Sequence, residues 1–408
     1  MALTKLWTIS FRDLGRNRRR SAFTLIAVTL GLALVILMSG YIAGVVEGSL
    51  QNGIELQTGH VQLRSASYEE SKQSLLWKDL LDDTETLLNR ARGMSQVKAA
   101  TPVLWSSGVL STIHEAAGLQ VTGIDPASAF HNPIREGLVA GEFLTADERG
   151  GILIGKRLAD SMGIGVGQRV SLLVGHSDGR PEEGIFTVRG LFVTGVPGYD
   201  ENTIFLPLPQ AQAITGTGER ASAIVIMLHN QDDANEVAAI LKSPGISTHT
   251  WEELNSLLLD AIEAGIGFYF IMYGIVILVV AVIIANTLLM AVFERVREMG
   301  ILAALGMKGR QIMLMFMLEA AILGLMGIVG GIILGSAVVL YLSVAGIPIG
   351  DMATAAEGFA LGSTLYTKLV PGEILSLSAW TLLVILLAAI YPAWFASRLE
   401  PVSALHSL

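Results

Sequence analysis

Few groupings of side chains in this sequence could carry out a reaction. Gly150-Gly-Ile-Leu-Ile-Gly-Lys156 matches the first seven positions of a phosphate-binding loop. In such a loop backbone N–H groups cradle the phosphates, a lysine reaches the outer ones, and a following Ser or Thr holds magnesium. Here the eighth position is Arg157, and the Ile-Leu-Ile centre has the character of a strand. Gly163-Ile-Gly-Val-Gly167 reads as a turn rather than a nucleotide loop. The seven histidines (60, 114, 131, 176, 229, 249 and 406) are scattered, with no HExxH and no i,i+4 pair, so no metal site is expected. Cysteine is absent, which removes disulfides, thiolate metal sites and a catalytic thiol. There is no GxSxG elbow, and the acidic pairs Asp82–Asp83 and Glu182–Glu183 read as solvated surface. No catalytic residue, no metal and no cofactor bound by this chain are expected.

Two polar residues stand out for a different reason, because they lie inside long apolar runs: Asn286 and Glu319. The runs themselves define the protein. Residues 21–46, 264–293 and 374–397 are free of charge, and from 311 to 350 the only charge is Glu319. About 20 apolar residues cross a bilayer, so each run predicts a transmembrane helix. The Gly346-Ile-Pro348 breaker and Asp351 limit the third to one span, 311–345. Because the first apolar run is longer than a signal-peptide core and no small-residue cleavage site follows it, an uncleaved anchor is expected. With 15% charged residues and a mean hydropathy of +0.57, an ordinary water-soluble enzyme is excluded.

Charge supplies the orientation. The segments 1–20, 294–310 and 398–408 hold 11 basic and 4 acidic residues, whereas 44–265 holds 15 basic and 28 acidic ones. The positive-inside bias then places both termini and the 294–310 link in the cytoplasm, with the acidic segment and the 346–373 loop outside. Leu3, Leu6, Trp7, Phe11 and Leu14 recur at helical spacing ahead of an arginine cluster, which predicts an amphipathic helix over 1–20 lying at the membrane surface. The net charge of −9 argues against nucleic acid as a partner.

Residues 47–263 are numerous enough for a domain with its own core. Strand-like runs recur at 59–63, 103–105, 119–122, 151–154, 169–174, 186–188, 203–206 and 223–227, and helices are predicted at 76–92, 156–163, 207–215 and 232–242. That alternation indicates an α+β domain, of two lobes. Thr250-Trp-Glu-Glu253 has the form of a capping box, which predicts a helix from Trp251 unbroken to Phe293. The predicted fold is therefore an α-helical membrane protein with four transmembrane helices and a large α+β extracytoplasmic domain, with its stalk, between the first and second. Small residues Gly324, Gly327, Gly330, Gly331 and Gly335 suit close helix packing in lipid.

Two stretches carry a family resemblance. One is Glu294-Arg-Val-Arg-Glu-Met-Gly-Ile-Leu-Ala-Ala-Leu-Gly306, followed by Phe316-Met-Leu-Glu319-Ala in the third span. The other is Tyr391-Pro-Ala-Trp-Phe-Ala-Ser-Arg-Leu-Glu-Pro-Val-Ser-Ala-Leu405. Both resemble the FtsX-like permease region of the MacB/Lol/FtsX group of ABC transporters. Asn17-Arg-Arg-Arg20 and Thr58-Gly-His-Val-Gln-Leu63 look like its lipoprotein-releasing (Lol-type) branch.

The resemblance implies a permease of the bacterial inner membrane without an ATPase site of its own, and a periplasmic outer domain. It also implies a second copy or a paralogous permease, and a separate cytoplasmic ABC ATPase dimer carrying ATP and Mg2+. A short coupling helix would dock that ATPase, mapping here to Glu294, Arg297, Glu298, Met299, Gly300, Leu305, Gly306 and Lys308. Lipoprotein or lipid-like cargo would meet the outer ends of the first two spans. Met38, Tyr41, Ile42 and Val45, with Phe268, Tyr269, Met272 and Tyr273, are the candidates. A periplasmic acceptor or adaptor would be a further partner, although His176-Ser-Asp-Gly-Arg-Pro-Glu-Glu-Gly184 is short and polar where acceptor-docking relatives carry a protruding loop. The expectation is a permease that extracts lipoprotein or lipid-like cargo from the outer face of the membrane. The alternatives are a MacB-like mechanotransmitter for drugs or peptides, and an FtsX-like regulator of a cell-wall hydrolase.

Overall fold

The computed structural model describes residues 18–69, 72–354 and 359–398. The amphipathic helix expected before residue 18 and the tail beyond 398 lie outside the described residues. The chain divides into two compact units, one built from the apolar segments 18–45, 263–347 and 366–398, the other from 46–262 and 348–365.

Among the described residues four helices are long and apolar enough to cross a membrane: Arg18–Thr58, Ser256–Glu294, Gly309–Ala345 and Pro371–Ser397. The first ends in a π-helical turn, Ile54–Thr58. The second begins later than expected. A separate turn, Trp251–Leu254, stops at Asn255, whose side-chain amide donates to the Trp251 carbonyl at 2.8 Å and ends the helical run before Ser256 restarts it. Nor does Thr250 cap by its side chain; it is extended, and Trp251 N–H donates to the His60 carbonyl at 2.9 Å instead.

Inside the apolar unit the helices meet where side chains are smallest. A Cβ placed on Gly327 would lie 2.6 Å from Val28, on Gly331 2.8 Å from Leu32, and on Gly335 3.0 Å from Ile36, so the third helix rests its glycine face directly on the first. Gly31 meets Val280 of the second helix in the same way, and Gly324 faces Ile385 of the fourth. Polar ties reinforce these seams: Thr24 Oγ1 to Thr287 Oγ1 at 3.0 Å and Thr29 Oγ1 to the Gly327 carbonyl at 3.2 Å. At the other end Gly44 leaves room for the Tyr366 carbonyl, and Lys368 N–H donates to the Gly40 carbonyl at 2.8 Å. Large apolar side chains such as Val329, Ile333, Trp380, Leu383 and Leu387 point outward, as lipid-facing positions do. Tyr391, Trp394 and Arg398, whose guanidinium lies 4.6 Å over the Trp394 ring, gather at one end of the fourth helix in the manner of an interfacial belt.

The second unit is built on one ten-stranded sheet that carries several apolar clusters. Its strands are β1 (Val61–Ser65), β2 (Val97–Ser111), β3 (Ala116–Ile124), β4 (Leu138–Gly141), β5 (Gly151–Gly155), β6 (Arg169–Gly175), β7 (Pro181–Phe192), β8 (Thr203–Pro207), β9 (Ala223–Leu228) and β10 (Ile246–Thr250). The order β10-β1-β9-β2 is antiparallel throughout, with helices Thr84–Arg92 and Ala234–Leu241 as the two crossovers. This is the βαββαβ arrangement of a ferredoxin-like lobe, and everything from β3 to β8 is inserted between its second and third strands. Val61, Leu63, Ile224, Ile226, Val237 and Leu241 form its core. In the inserted lobe β3–β8 and β5–β7 pair in parallel, and Ile152, Ile154, Leu172, Phe186, Ile204 and Leu206 form a second core.

The expected single helix over 76–92 is instead a 3-10 turn, Trp77–Asp79, then a helix from Thr84. Asp83, in the left-handed region at φ 47°, separates them. The phosphate-loop match also has a packing explanation. Residues 151–155 are strand β5, buried along its length, and a Cβ on Gly155 would strike the Asp200 carbonyl. Lys156 is engaged by Asp160 at 2.8 Å and Arg157 by Glu201 at 2.7 Å.

Candidate functional site

The best-defined candidate is the short link between the second and third long helices. Helix Val296–Ala304 begins after Arg295, with Glu298 in its first turn, where a negative charge suits the positive end of the helix dipole. It stops at Gly306, whose φ of 91° is open to glycine at little cost, and its N–H donates to the Ala303 carbonyl at 3.0 Å. Lys308 then starts the next helix, its N–H donating to Gln311 Oε1 at 2.9 Å.

The linking helix has two unlike faces. Met299 and Gly300 are buried, and with Val296 and Ala303 they pack on Ala291, Val292, Ile312, Met315, Phe316 and Ala393. Arg297, Glu298, Ile301, Leu305, Gly306 and Lys308 are exposed, Leu305 at 79%. Of the eight residues expected to meet an ATPase, then, six are exposed: Glu294, Arg297, Glu298, Leu305, Gly306 and Lys308. Met299 and Gly300 seat the helix instead. Glu294 closes the second helix and accepts from Arg20 Nη1 of the first at 2.8 Å.

Beside this seat lies a set of charges drawn from three helices. Glu319 is 2% exposed and Arg295 3%. Glu319 Oε2 is 3.6 Å from Arg295 Nη1, and its Oε1 is 4.0 Å from Arg20 Nη2. Asn286, the other polar residue within a span, is exposed on the second helix.

The eight candidate cargo residues divide by exposure. Tyr41 and Phe268 point outward, at 39% and 62%, and the other six are half-buried. The first and second helices meet at this level through Ser39, which is hydrogen-bonded to Tyr273 and donates to Glu373 of the fourth helix. Glu373, at the start of the fourth helix, thus finds its partner Ser39 on the first.

The outer domain holds a cavity of about 110 Å³ lined by Gln57, Gln62, Arg64, Trp105, Gln120 and His131 among others. Arg64 lies between the rings of Tyr68 and Trp105, at 5.6 and 5.5 Å. His131 is 2% exposed, and burial first, then the Arg135 charge, push its pKa down to about 3. Burial also raises the Asp200 carboxyl above its usual range, against the pull of hydrogen bonds donated by Thr194 N and Oγ1. No group of three or more His, Asp or Glu suited to a metal occurs among the described residues.

Two family models match the chain. The model of the MacB-like periplasmic core domain matches residues 21–243, and that of the FtsX-like permease C-terminal region matches 270–401. The lipoprotein-releasing system transmembrane protein LolC of Neisseria meningitidis is 25% identical over 342 residues, 78% of this chain and 79% of the relative. LolC of Haemophilus influenzae is 23% identical over 404 residues, 95% of this chain and 96% of the relative. The crystal structure of the periplasmic region of MacB from Actinobacillus actinomycetemcomitans aligns with 52% of this chain and 97% of its own, at 14% identity and a TM-score of 0.36.

Proposed function

The chain belongs to the MacB-like periplasmic core domain family, with an FtsX-like permease C-terminal region, and on that premise we propose that it is the membrane-spanning subunit of an ABC transporter. Its cargo is lipoprotein or a similar lipid-anchored molecule, taken from the outer face of the bacterial inner membrane. Support for the cargo class comes from the LolC relatives, which are named as parts of lipoprotein-releasing systems and align over most of this chain. ATP is hydrolysed by a separate cytoplasmic ATPase dimer, and a second copy of this chain or a paralogue completes the permease. Both termini and the 294–310 link lie in the cytoplasm, in keeping with their excess of Lys and Arg.

One observation carries the mechanism: the linking helix is seated by Met299 and Gly300 while Arg297, Glu298, Ile301 and Leu305 stay open on its other face. An exposed apolar pair within a charged rim suits docking to a partner. Thrust from the ATPase enters through that face and passes by way of the seat to the ends of the second, third and fourth helices. The first and second helices, Arg18–Gly53 and Ser256–Glu294, extend beyond the length that hydrocarbon requires and so can pass movement to the outer domain.

The test is release of a labelled lipoprotein from proteoliposomes containing the full chain and its copurified ATPase. ATP-dependent release is expected, and Gly306→Pro should abolish it while ATP hydrolysis continues. Proline holds φ near −65° where 91° is required. Absence of release, with ATP hydrolysis stimulated by a periplasmic adaptor, would overturn the lipoprotein reading in favour of drug or peptide efflux.

A further inference from the structure

We propose that Glu319, with Arg20 and Arg295, is a positioning residue that fastens the linking helix to the first and third spans. Thrust on that helix then moves the spans instead of turning the helix in its seat. The consequence for transport rests on the coupling role proposed above; the fastening itself rests on geometry alone.

Glu319 sits three turns into helix Gly309–Ala345, where an ionised carboxylate is costly unless charges of opposite sign surround it. Two do. Arg295 is the residue immediately before helix Val296–Ala304 and is as deeply buried as Glu319 itself. Arg20, near the start of the first helix, faces two carboxylates at once: Glu294 at 2.8 Å and Glu319 at 4.0 Å. Two positive and two negative groups thus join the first helix, the end of the second, the start of the linking helix and the third. The contacts of Glu319 at 3.6 and 4.0 Å are longer than hydrogen bonds, so they act through charge.

Stability alone is a poor reason to bury such a set. Replacing a buried ion pair with apolar residues of similar volume is often neutral or stabilising, whereas removing one partner is strongly destabilising. What the charges add is a definite arrangement. The Met299 side of the linking helix packs on Ala291, Val292, Phe316 and Ala393, a smooth apolar surface on which a nine-residue helix could slide or turn. An ion pair at its N-terminus removes that freedom, because rotating Arg295 away would take a cation from beside Glu319.

The distinction gives the experiment. The full chain in lipid nanodiscs is compared with R295M/E319M, which removes the pair without leaving a lone charge, and with R295K, which keeps it. Backbone hydrogen exchange is read across 296–304 and, as an internal reference, across 223–228. R295M/E319M should keep the wild-type melting temperature within a few degrees while exchange over 296–304 rises at least tenfold; R295K should stay within about twofold of wild type. Unchanged exchange over 296–304 in R295M/E319M overturns the proposal. In proteoliposomes with the ATPase, lipoprotein released per ATP hydrolysed should fall at least fivefold in R295M/E319M. If exchange rises but this ratio holds, the fastening stands and the coupling role of the helix falls.

Discussion

The two units of this chain solve the packing problem with opposite materials. In the outer domain the largest fully buried side chains are Phe192, Phe205, Leu104, Leu153 and their like, and Phe192 and Phe205 lie 5.2 Å apart. In the apolar unit Leu32, Ile36 and Phe316 are buried as fully, but the helices meet closely at Gly31, Gly327, Gly331 and Gly335, and large side chains such as Ile333 and Trp380 point outward. The cause is the solvent. Water drives a phenylalanine inward because burying it removes apolar surface from water, whereas lipid is as apolar as leucine and offers no such gain. Helices in lipid therefore associate through tight backbone approach and a few polar ties, here Thr24–Thr287 and Arg20–Glu294. Buried aromatic bulk and bare glycine do the same job on either side of that boundary.

Substitutions can break the comparison at either end. The largest effect is expected for Phe205→Ala, which empties the cluster it forms with Ile124, Leu153, Phe192 and Tyr199 and should cost about 3–5 kcal/mol. Hydrogen exchange in the full chain should accelerate across β3, β5 and β8 while the four long helices are unchanged. Gly331→Leu inverts the logic, adding bulk where Leu32 already sits 2.8 Å from a Cβ position. It should cost about 1–3 kcal/mol, seen as a lower melting temperature in detergent and faster proteolysis between the third and fourth helices.

Acid should separate the units next. His131 is neutral and buried in the folded outer domain with its pKa down to about 3, against an unfolded value of 6.5. As pH falls below 6.5 the unfolded chain takes up a proton that the folded one refuses. Stability is therefore complete above that pH and declines by up to about 1.4 kcal/mol per unit down to about pH 3. Melting temperature against pH should show that slope for wild type and lose it in His131→Leu. The smallest effect is expected for Thr24→Val, which removes one interhelical hydrogen bond and should cost about 0.6 kcal/mol. A cost several times larger, measured by denaturant titration in micelles, would mean that polar ties outweigh glycine packing in this bundle.

Much of this was legible before any coordinates. Four long helices follow from the apolar runs, and the run of glycines from 324 to 335 already indicated a packing face. The strands of the outer domain were readable in type. β4 and β10 were missed, the latter because Ile246-Ser-Thr-His-Thr250 carries a single large apolar side chain. Helix 76–92 was over-extended because nothing in the local pattern shows that Asp83 adopts φ 47°. Of the residues that the family motif marks, Glu294, Arg297, Glu298, Leu305, Gly306 and Lys308 are exposed. Met299 and Gly300 carry the same motif but face inward, a difference set by the surface they lie on. The partners of Glu319 were not legible, because Arg20 and Arg295 are brought to it only by the packing of separate segments.

The sequence by itself determined which segments belong in hydrocarbon and which in water. The cost of placing a charge in lipid and the thickness of a bilayer act on a segment whatever its neighbours are, and they are written in composition alone. Only the tertiary structure decided which helix meets which glycine, and how a ferredoxin-like lobe closes around an inserted one. It also decided why a carboxylate can live inside the third span. Those outcomes join residues as far apart as Ser39 and Glu373, 334 positions along the chain. Such contacts depend on every intervening turn, and no local pattern encodes them.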